Sequence, residues 1–445
     1  MSAVADSGIY AEDFRTTPWW WEGFTPPEDP PAELPRSVDV LVVGAGYAGI
    51  HCALTLAEHG RDVLVLDAQR LGWGASSRSG GQVTGGANVG KTPGGGNTVA
   101  RSGAAARRQA LLRDAAAAMR HLEATIERHQ IRCGWRLSGR LTALWTAAHR
   151  KSWESRLDDL NRYAEAEARM IPREAMADEV GSDFYAGGVL LRRGGHLQPA
   201  QLYGGLLEAA RRAGARAHGM TPVEAIERVA GGWQARTPRG TVRAEQVVIA
   251  TNGYTGGLVP ALRRRALPVT THMIATEALP EGLARRIMPR DRAVSETRRV
   301  VNHYRLSPDG TRLLFGGRAR FFPAEERVTA AILHRLMVER FPDLAGVRIT
   351  NSWGGRVAVS FDYLPHIGEQ DGIHYAMGCN GSGVVMMNWL GHGIARKILE
   401  RRAEPVNAFD TGGAPTHPLY HGVPWFVPVV GTYYQLRDWA DRRQG

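Results

Sequence analysis

The sequence predicts an α/β protein of two interleaved domains, and three observations carry that expectation. From Val38, VDVLVVGAGYAGIHCALTLAEHGRDVLVLDA gives an apolar strand, a glycine turn, a helix and a second apolar strand. The middle of the chain, above all residues 262 to 327, is strand-rich and of a different character. Near the C-terminus a strand, Gly372 to Met377, and a helix, Gly383 to Glu400, resume the first pattern. A βαβ core whose last strand and helix return after a long interruption implies a second unit built into the first.

The elements follow in order. Residues 14 to 36 are proline-rich and hold three adjacent tryptophans, Trp19 to Trp21, which suits an extended arm lying on the protein better than a packed element. The body starts near Val38, and its first helix places Ile50, Leu54 and Ala57 on one face before the strand Val63 to Leu66. Such apolar strands predict a parallel sheet buried on both faces. From Arg108 to Gln130 apolar residues fall at 111, 112, 115, 119, 122 and 126, a helical stripe, and Gly139 to Ala147 alternates like a strand. A second amphipathic helix carries Trp153, Leu157 and Leu160, and Gln198 to Ala213 is helical again. AHGMTPVEAIERV, GWQARTP and GTVRAEQVVIAT read as short strands, and Val328 to Glu339 as a helix with Val328, Ile332 and Leu336 on one face. The resulting division is an arm (1–37), a discontinuous nucleotide domain (38–90, 197–260 and 351–402), a second domain (91–196 and 261–350) and a tail (403–445).

Composition narrows the function. In 445 residues, 43% are hydrophobic and 22% charged, a globular balance that excludes disorder as the main theme. No apolar run reaches the ~18 residues of a spanning helix, and the N-terminus lacks a signal-peptide layout, so a cytoplasmic protein without a transmembrane segment is expected. The net charge of +11 raises the question of nucleic acid. Only Lys91, Lys151 and Lys397 among the 55 basic residues are lysine, however, and the arginines are scattered without a basic run, so no nucleic-acid partner is expected. Cys52, Cys133 and Cys379 stand too far apart for a metal knuckle and are odd in number, which argues against a disulfide framework; no metal is expected.

Gly44, Gly46 and Gly49 form GxGxxG between a strand and a helix. The first allows the tight turn, the second lets backbone approach a pyrophosphate, and the third allows close helix packing. Phosphates then meet the free N–H groups and positive end of the helix. Asp67 closes the second strand, where a carboxylate can accept from a ribose hydroxyl and argues against a 2′-phosphate. Strand, turn, helix, strand and acid agree on a Rossmann-like nucleotide site, without separating FAD from NAD. A second glycine pattern, GGANVGKT at Gly85 to Thr92, fits the P-loop formula but is followed by Pro93 and three glycines where a helix should open, so it reads as a connection between domains.

Further stretches carry a resemblance. LGWGASSRSGGQVTGG (71–86), GGHLQP (194–199), the run 214–255, VNHYRLSPDGTRLLFGGRARF (301–321), NSWGGRVAVSFDYLPHIGE (351–369) and GIHYAMGCNGSGVVMMNWLGHGIARKILE (372–400) match in order the D-amino acid oxidase family of flavoproteins. The chain most resembles the bacterial branch that includes γ-glutamylputrescine oxidase, over residues 38 to 440. The resemblance implies a discontinuous FAD domain and a substrate domain built on a mixed β-sheet over the flavin. By it, Gly44, Gly46, Tyr47, Ala48, Gly49, Asp67 and Ala68 serve the ADP half of FAD, and Gly74, Ala75, Ser76 and Arg78 the pyrophosphate and flavin side. Gly81 and Gln82 lie beside the ring system, as does Gly355. Val223 flanks the adenine, Ala250 and Thr251 end the strand near the nucleotide, and Gly378, Asn380, Gly381, Ser382, Gly383 and Val384 meet the pyrimidine end of the flavin.

The implied activity is oxidation of a C–N bond in a small amine or amino acid, with O2 or a quinone-type acceptor reoxidising FAD. His303, Tyr304, Arg318 and Trp353 are the candidate active-site residues, Arg318 as a fork for a substrate carboxylate; Arg356 and His196 are weaker candidates. Where relatives attach FAD covalently, this chain holds Val359, Ser360 and Phe361, and Ser77, Arg78 and Ser79, so noncovalent FAD is expected. Relatives of sarcosine-oxidase type use a flavin-facing lysine, and no lysine occurs between Lys151 and Lys397, which leaves oxidase and dehydrogenase both open. An NAD(P)H-coupled flavin hydroxylase is the alternative, but no second nucleotide motif is evident; a P-loop NTPase or nucleic-acid binder ranks below it.

Overall fold

A computed structural model describes residues 8–27, 33–86, 88–93, 96–101, 105–401 and 404–444. Residues 1–7 and 28–32 of the arm, Ala87 of the glycine–lysine loop and residues 402–403, where the tail begins, lie outside them. Five parallel strands form the body of an eight-stranded nucleotide sheet, in the order Arg216–His218, Val63–Leu66, Ser37–Val43, Gly240–Ile249 and Ile373–Met377. The apolar runs end up with no exposed face, as their composition requires: Val63 to Leu66 is buried throughout. Gly240–Ile249 has two neighbours on one edge: its first half pairs with Gly232–Thr237 and its last residues with Ile373–Met377. The first helix, Tyr47–Glu58, packs against the returning helix Gly383–Glu400. Their crossing is so close that a Cβ on Gly391 would run into the Ala48 carbonyl oxygen.

The second sheet has nine strands in the order Tyr10–Arg15, Ile349–Val359, Leu267–Thr276, Leu313–Gly317, Asn302–Leu306, Ala293–Glu296, Arg140–Ala143, Gly188–Leu191 and Ala168–Ile171. It is mixed, with parallel pairs at Tyr10–Arg15 against Ile349–Val359 and at Ala293–Glu296 against Arg140–Ala143. A small ladder, Gln82–Thr84 against Gly194–His196, joins the two halves. The mixed α/β class and the interleaving expected from the sequence are therefore present.

Three expectations need correction. The arm lies on the protein, but it does hold packed elements: Tyr10–Arg15 caps the edge of the large sheet, and Trp20 is completely buried against Met273, Leu314 and Trp353. Three indole rings are too much apolar area to leave in water, and a bare strand edge needs cover. Strand Ile349–Val359, placed with the nucleotide domain by the 351–402 boundary, lies in the large sheet and pairs along its whole length with Leu267–Thr276. The helix expected around Trp153 is two short ones, His149–Glu154 and Leu157–Tyr163.

The tail forms a helix, Val427–Gln444. Its Asp438 is buried and accepts from the backbone N–H groups of Arg299 (2.9 Å) and Val300 (3.0 Å), fixing the helix against the large sheet. Among the described residues no helix is long and apolar enough to cross a membrane.

Candidate active site

The strand Ser37–Val43 ends in Gly44, whose φ of +102° favours glycine and whose added Cβ would sit 2.9 Å from the Ala250 carbonyl carbon. A Cβ on Gly49 would collide with the Gly44 carbonyl oxygen. Gly46 then opens the helix Tyr47–Glu58 with no side-chain cap. That leaves a concave start lined by helix N–H groups, a cradle that side chains would fill and a phosphate suits. Ser76 Oγ accepts from the Tyr47 N–H (2.9 Å), joining the helix start to the turn Ala75–Ser77. The Tyr47 ring is buried, its hydroxyl donating to the Pro199 carbonyl (2.8 Å).

Asp67 accepts from the Ala45 N–H (2.8 Å) and the Gln69 N–H (2.9 Å). Burial raises its pKa, and these two donors partly offset the rise. Ala68 beside it is exposed. The Asp67 carbonyl accepts from the Thr221 N–H (2.8 Å), which brings the segment containing Val223 alongside. On the other flank, Ala250 donates its N–H to the Val43 carbonyl (2.8 Å) and Thr251 opens a short turn at Asn252–Tyr254.

Between the sheets lies a cavity of about 490 Å³. Ala75, Arg78, Gly81, Gln82, Gly383 and Val384 line its nucleotide side, with Gly355 across from Ala75 and Arg78. Gln82 donates to the carbonyls of Val294 (2.9 Å) and Tyr304 (3.2 Å), holding this wall to the large sheet. Arg78 is held rather than free: its Nε donates to the Trp73 carbonyl (2.6 Å), and its guanidinium lies 4.8 Å from the Trp21 ring and 4.7 Å from that of Trp73. Burial lowers its pKa.

At the returning helix, Gly378 donates to Asn252 Oδ1 (3.0 Å), and Asn380 locks the turn by donating to the Gly378 carbonyl (2.7 Å) and accepting from the Ser360 N–H (3.0 Å). Gly381, with φ of +84°, leads into Ser382 at the helix start, whose buried Oγ has no hydrogen-bond partner among the described residues. An uncapped helix start facing a cavity, with an orphaned hydroxyl beside it, suits the electron-rich pyrimidine end of a flavin. The residues present thus fit FAD at both ends.

The opposite wall comes from the large sheet and the tail helix. His303 lines it, packed against Gly80 and Gly316, and burial among Arg140 and Lys91 pushes its pKa down to about 4. Tyr304, expected beside it in the site, is not there. Side chains alternate along a strand, and Tyr304 points to the other face, stacked on Phe315 with its hydroxyl donating to that of Tyr185 (2.8 Å). Trp353 belongs to both environments: it lines the cavity, donates to the Arg78 carbonyl (2.9 Å) and packs on Trp20. Arg318 lines the cavity with no carboxylate partner among the described residues, and burial lowers its pKa to about 10. Its Nε is buried without a hydrogen-bond partner among the described residues. Two weaker candidates lie elsewhere. Arg356 is exposed over Tyr254, and His196 is fully buried beside Asp291.

A family model described as FAD dependent oxidoreductase matches residues 39–397. The chain belongs to that family. The FAD-dependent oxidoreductases it resembles include γ-glutamylputrescine oxidoreductase of Escherichia coli K12, 33% identical over 90% of this chain and 92% of the relative, and glycine oxidase of Bacillus licheniformis, 24% identical over 84% and 97%. Among solved structures, glycine oxidase of Geobacillus kaustophilus superposes with a TM-score of 0.71 at 21% identity, covering 86% of this chain and all of that one; this shows the shared fold. The chain is accordingly an FAD-dependent oxidoreductase.

Some residues of the flavoenzyme site escaped the sequence reading. Lys91 and Arg140 both line the cavity. Lys91 sits in the segment that imitates a P-loop, yet no helix opens there: it forms a bridge to Asn97, and its ammonium points to the Glu296 carbonyl (3.5 Å). Burial and the neighbouring Arg140 push its pKa down to about 7. Arg140 donates to Ser295 Oγ (2.6 Å), and burial lowers its pKa to about 10. Phe426, Val430 and Tyr434 of the tail close the cavity from a third side. Only the strand position of Arg140, facing as Thr142 does, carried any signal of this.

Proposed function

We propose that this enzyme oxidises the C–N bond of a small amine or amino acid that also carries a carboxylate. The observation that supports it is Arg318, a half-buried guanidinium with a fully buried Nε that lines the cavity without a counter-ion among the described residues. Leaving such a charge unpaired is costly unless a ligand supplies the anion, and a guanidinium fork binds a carboxylate in two parallel hydrogen bonds. When bound, noncovalent FAD supplies a hydride acceptor for the substrate α-carbon. The chain's own residues prepare that step. Arg318 fixes the substrate's acid end, and Trp353 and Met273 wall its path. Lys91, neutral in part near pH 7, accepts a proton from the substrate ammonium so that the amine nitrogen can donate its lone pair as the C–H bond breaks. His303 is neutral at that pH and adds no competing charge. The imine released from this step hydrolyses in water to a carbonyl compound and an amine.

The test is anaerobic bleaching of the flavin by a panel of paired substrates, each with and without a carboxylate. Preference for the acidic member, lost in Arg318→Ala, is expected; equal bleaching by both would sink the reading. Reoxidation by air, or only by a quinone-type acceptor, then assigns the second half-reaction. Flavin should leave the polypeptide on acid precipitation.

A further inference from the structure

Three histidines far apart in the sequence meet where three helices cross. His51 lies on Tyr47–Glu58, His121 on Ala105–Arg128 and His392 on Gly383–Glu400. One imidazole nitrogen from each falls within 4.8 Å of the others. His51 Nε2 and His121 Nε2 are 2.7 Å apart, and the His121 and His392 ring centres are separated by 4.3 Å. None of the three lines the cavity.

The tautomer of His51 is set from outside the cluster. Asn388 donates its amide to the Val384 carbonyl (2.6 Å), so its Oδ1 faces His51 Nδ1 (3.1 Å) as an acceptor. His51 must therefore carry its proton on Nδ1, leaving the Nε2 lone pair turned toward His121. His392 Nδ1 lies 3.2 Å from Thr55 Oγ1, a hydroxyl that can donate or accept and so anchors the ring on its outer side. An outer partner that holds one ring nitrogen and frees the other is the arrangement that orients metal-binding histidines. Burial lowers the pKa of all three, so they are neutral ligands at neutral pH. Arg396, the cation beside His392, is paired with Glu400 (2.7 Å).

We propose that His51, His121 and His392 bind one divalent transition-metal ion, of which zinc is the fitting representative, with water completing the coordination. Neutral imidazoles suit such ions, and three of them with an open position make a four-coordinate site. Tetrahedral binding at about 2.0–2.1 Å requires nitrogens roughly 3.3 Å apart, so the His51–His121 pair opens slightly and His392 swings in. The ion would tie together the two helices whose starts face the cofactor and the long helix Ala105–Arg128. The site lies outside the cavity, so the ion is independent of the substrate assigned above.

Flavin-loaded full-length enzyme, stripped with chelator, would be titrated with Zn2+ by calorimetry, and a parallel sample would take Cu2+ for electron paramagnetic resonance. One Zn2+ per chain, imidazole nitrogen splitting of the Cu2+ signal and a Zn2+-dependent rise in Tm are expected. His392→Gln and His121→Gln should lose stoichiometric binding, and Asn388→Ala, which leaves the ligands in place, should weaken it by about 10- to 100-fold. No stoichiometric uptake by the unaltered enzyme, or uptake unchanged in both histidine variants and therefore adventitious, would overturn the proposal. The unaltered enzyme decides the matter even where a variant fails to fold.

Discussion

The two walls of the cavity are made of different material. On the nucleotide side the shape is backbone: the turn at Gly44 to Gly49, the loop at Gly81 and the turn at Gly378 to Gly383, held by N–H groups, carbonyls and missing Cβ atoms. On the other side it is side chain: His303, Arg318, Lys91, Arg140 and the aromatic rings of Trp353 and the tail. A backbone wall recognises what every member of a family binds, and a side-chain wall can be exchanged residue by residue. Cofactor and substrate specificity therefore respond to mutation in different ways.

The strongest way to break this comparison is Gly49→Val. The new Cβ has nowhere to go beside the Gly44 carbonyl, and the variant should be purified without flavin absorbance. If it keeps full flavin content, the cradle is not backbone-defined. Next is Arg340→Met in the core of the substrate half. Arg340 holds Glu296 with Nε–Oε1 at 2.7 Å, both groups being wholly buried, and burial, which would raise the Glu296 pKa, is outweighed by this guanidinium so that the net shift is downward. Removing the partner strands the carboxylate and should cost about 3–5 kcal/mol, read as a lower denaturant midpoint. Raising the pH should deepen the loss, since an unpaired Glu296 tolerates burial only when protonated.

A smaller effect is expected from Arg318→Ala. It should raise KM for an acidic substrate by roughly 10- to 100-fold, the loss of a charge-assisted hydrogen bond worth about 1.5–3 kcal/mol, while flavin content stays unchanged. Lys91→Met sharpens the picture further. The neutral fraction of Lys91 grows as pH rises through about 7, so kcat/KM of the unaltered enzyme should climb there, and the variant should lose that limb. The smallest change is Trp21→Ala, which removes one of two rings beside Arg78 and should cost about 0.5–1 kcal/mol of stability.

The same contrast explains what could be read in advance. Gly44 and Gly49 act through local geometry, so their spacing in the chain already implied the tight turn and the close helix contact. Tyr304 shows the limit: it adjoins His303 in sequence, and only the register of the sheet decided which of the two faces the cavity. Lys91 lay in a segment whose letters suggest a P-loop, and its place in the cavity depends on a connection that crosses between domains. Trp20 read as part of an extended arm rather than of a packed element, because its partners, Met273 and Trp353, come from over 250 residues away.

The contact between Ala48 and Gly391 has a consequence for how the molecule assembles. The two helices that present their starts to the cofactor are separated by most of the chain, and the strand Ile373–Met377 joins its sheet just as late. Loop closure over such a span comes after local structure has formed, and it slows folding more than it lowers stability. The FAD cradle is therefore among the last parts to become complete, and a nascent chain ending before Ile373 has the glycine turn but not the clamp. Flavin capture should mark the end of folding, after the ladder between Leu267–Thr276 and Ile349–Val359 has formed.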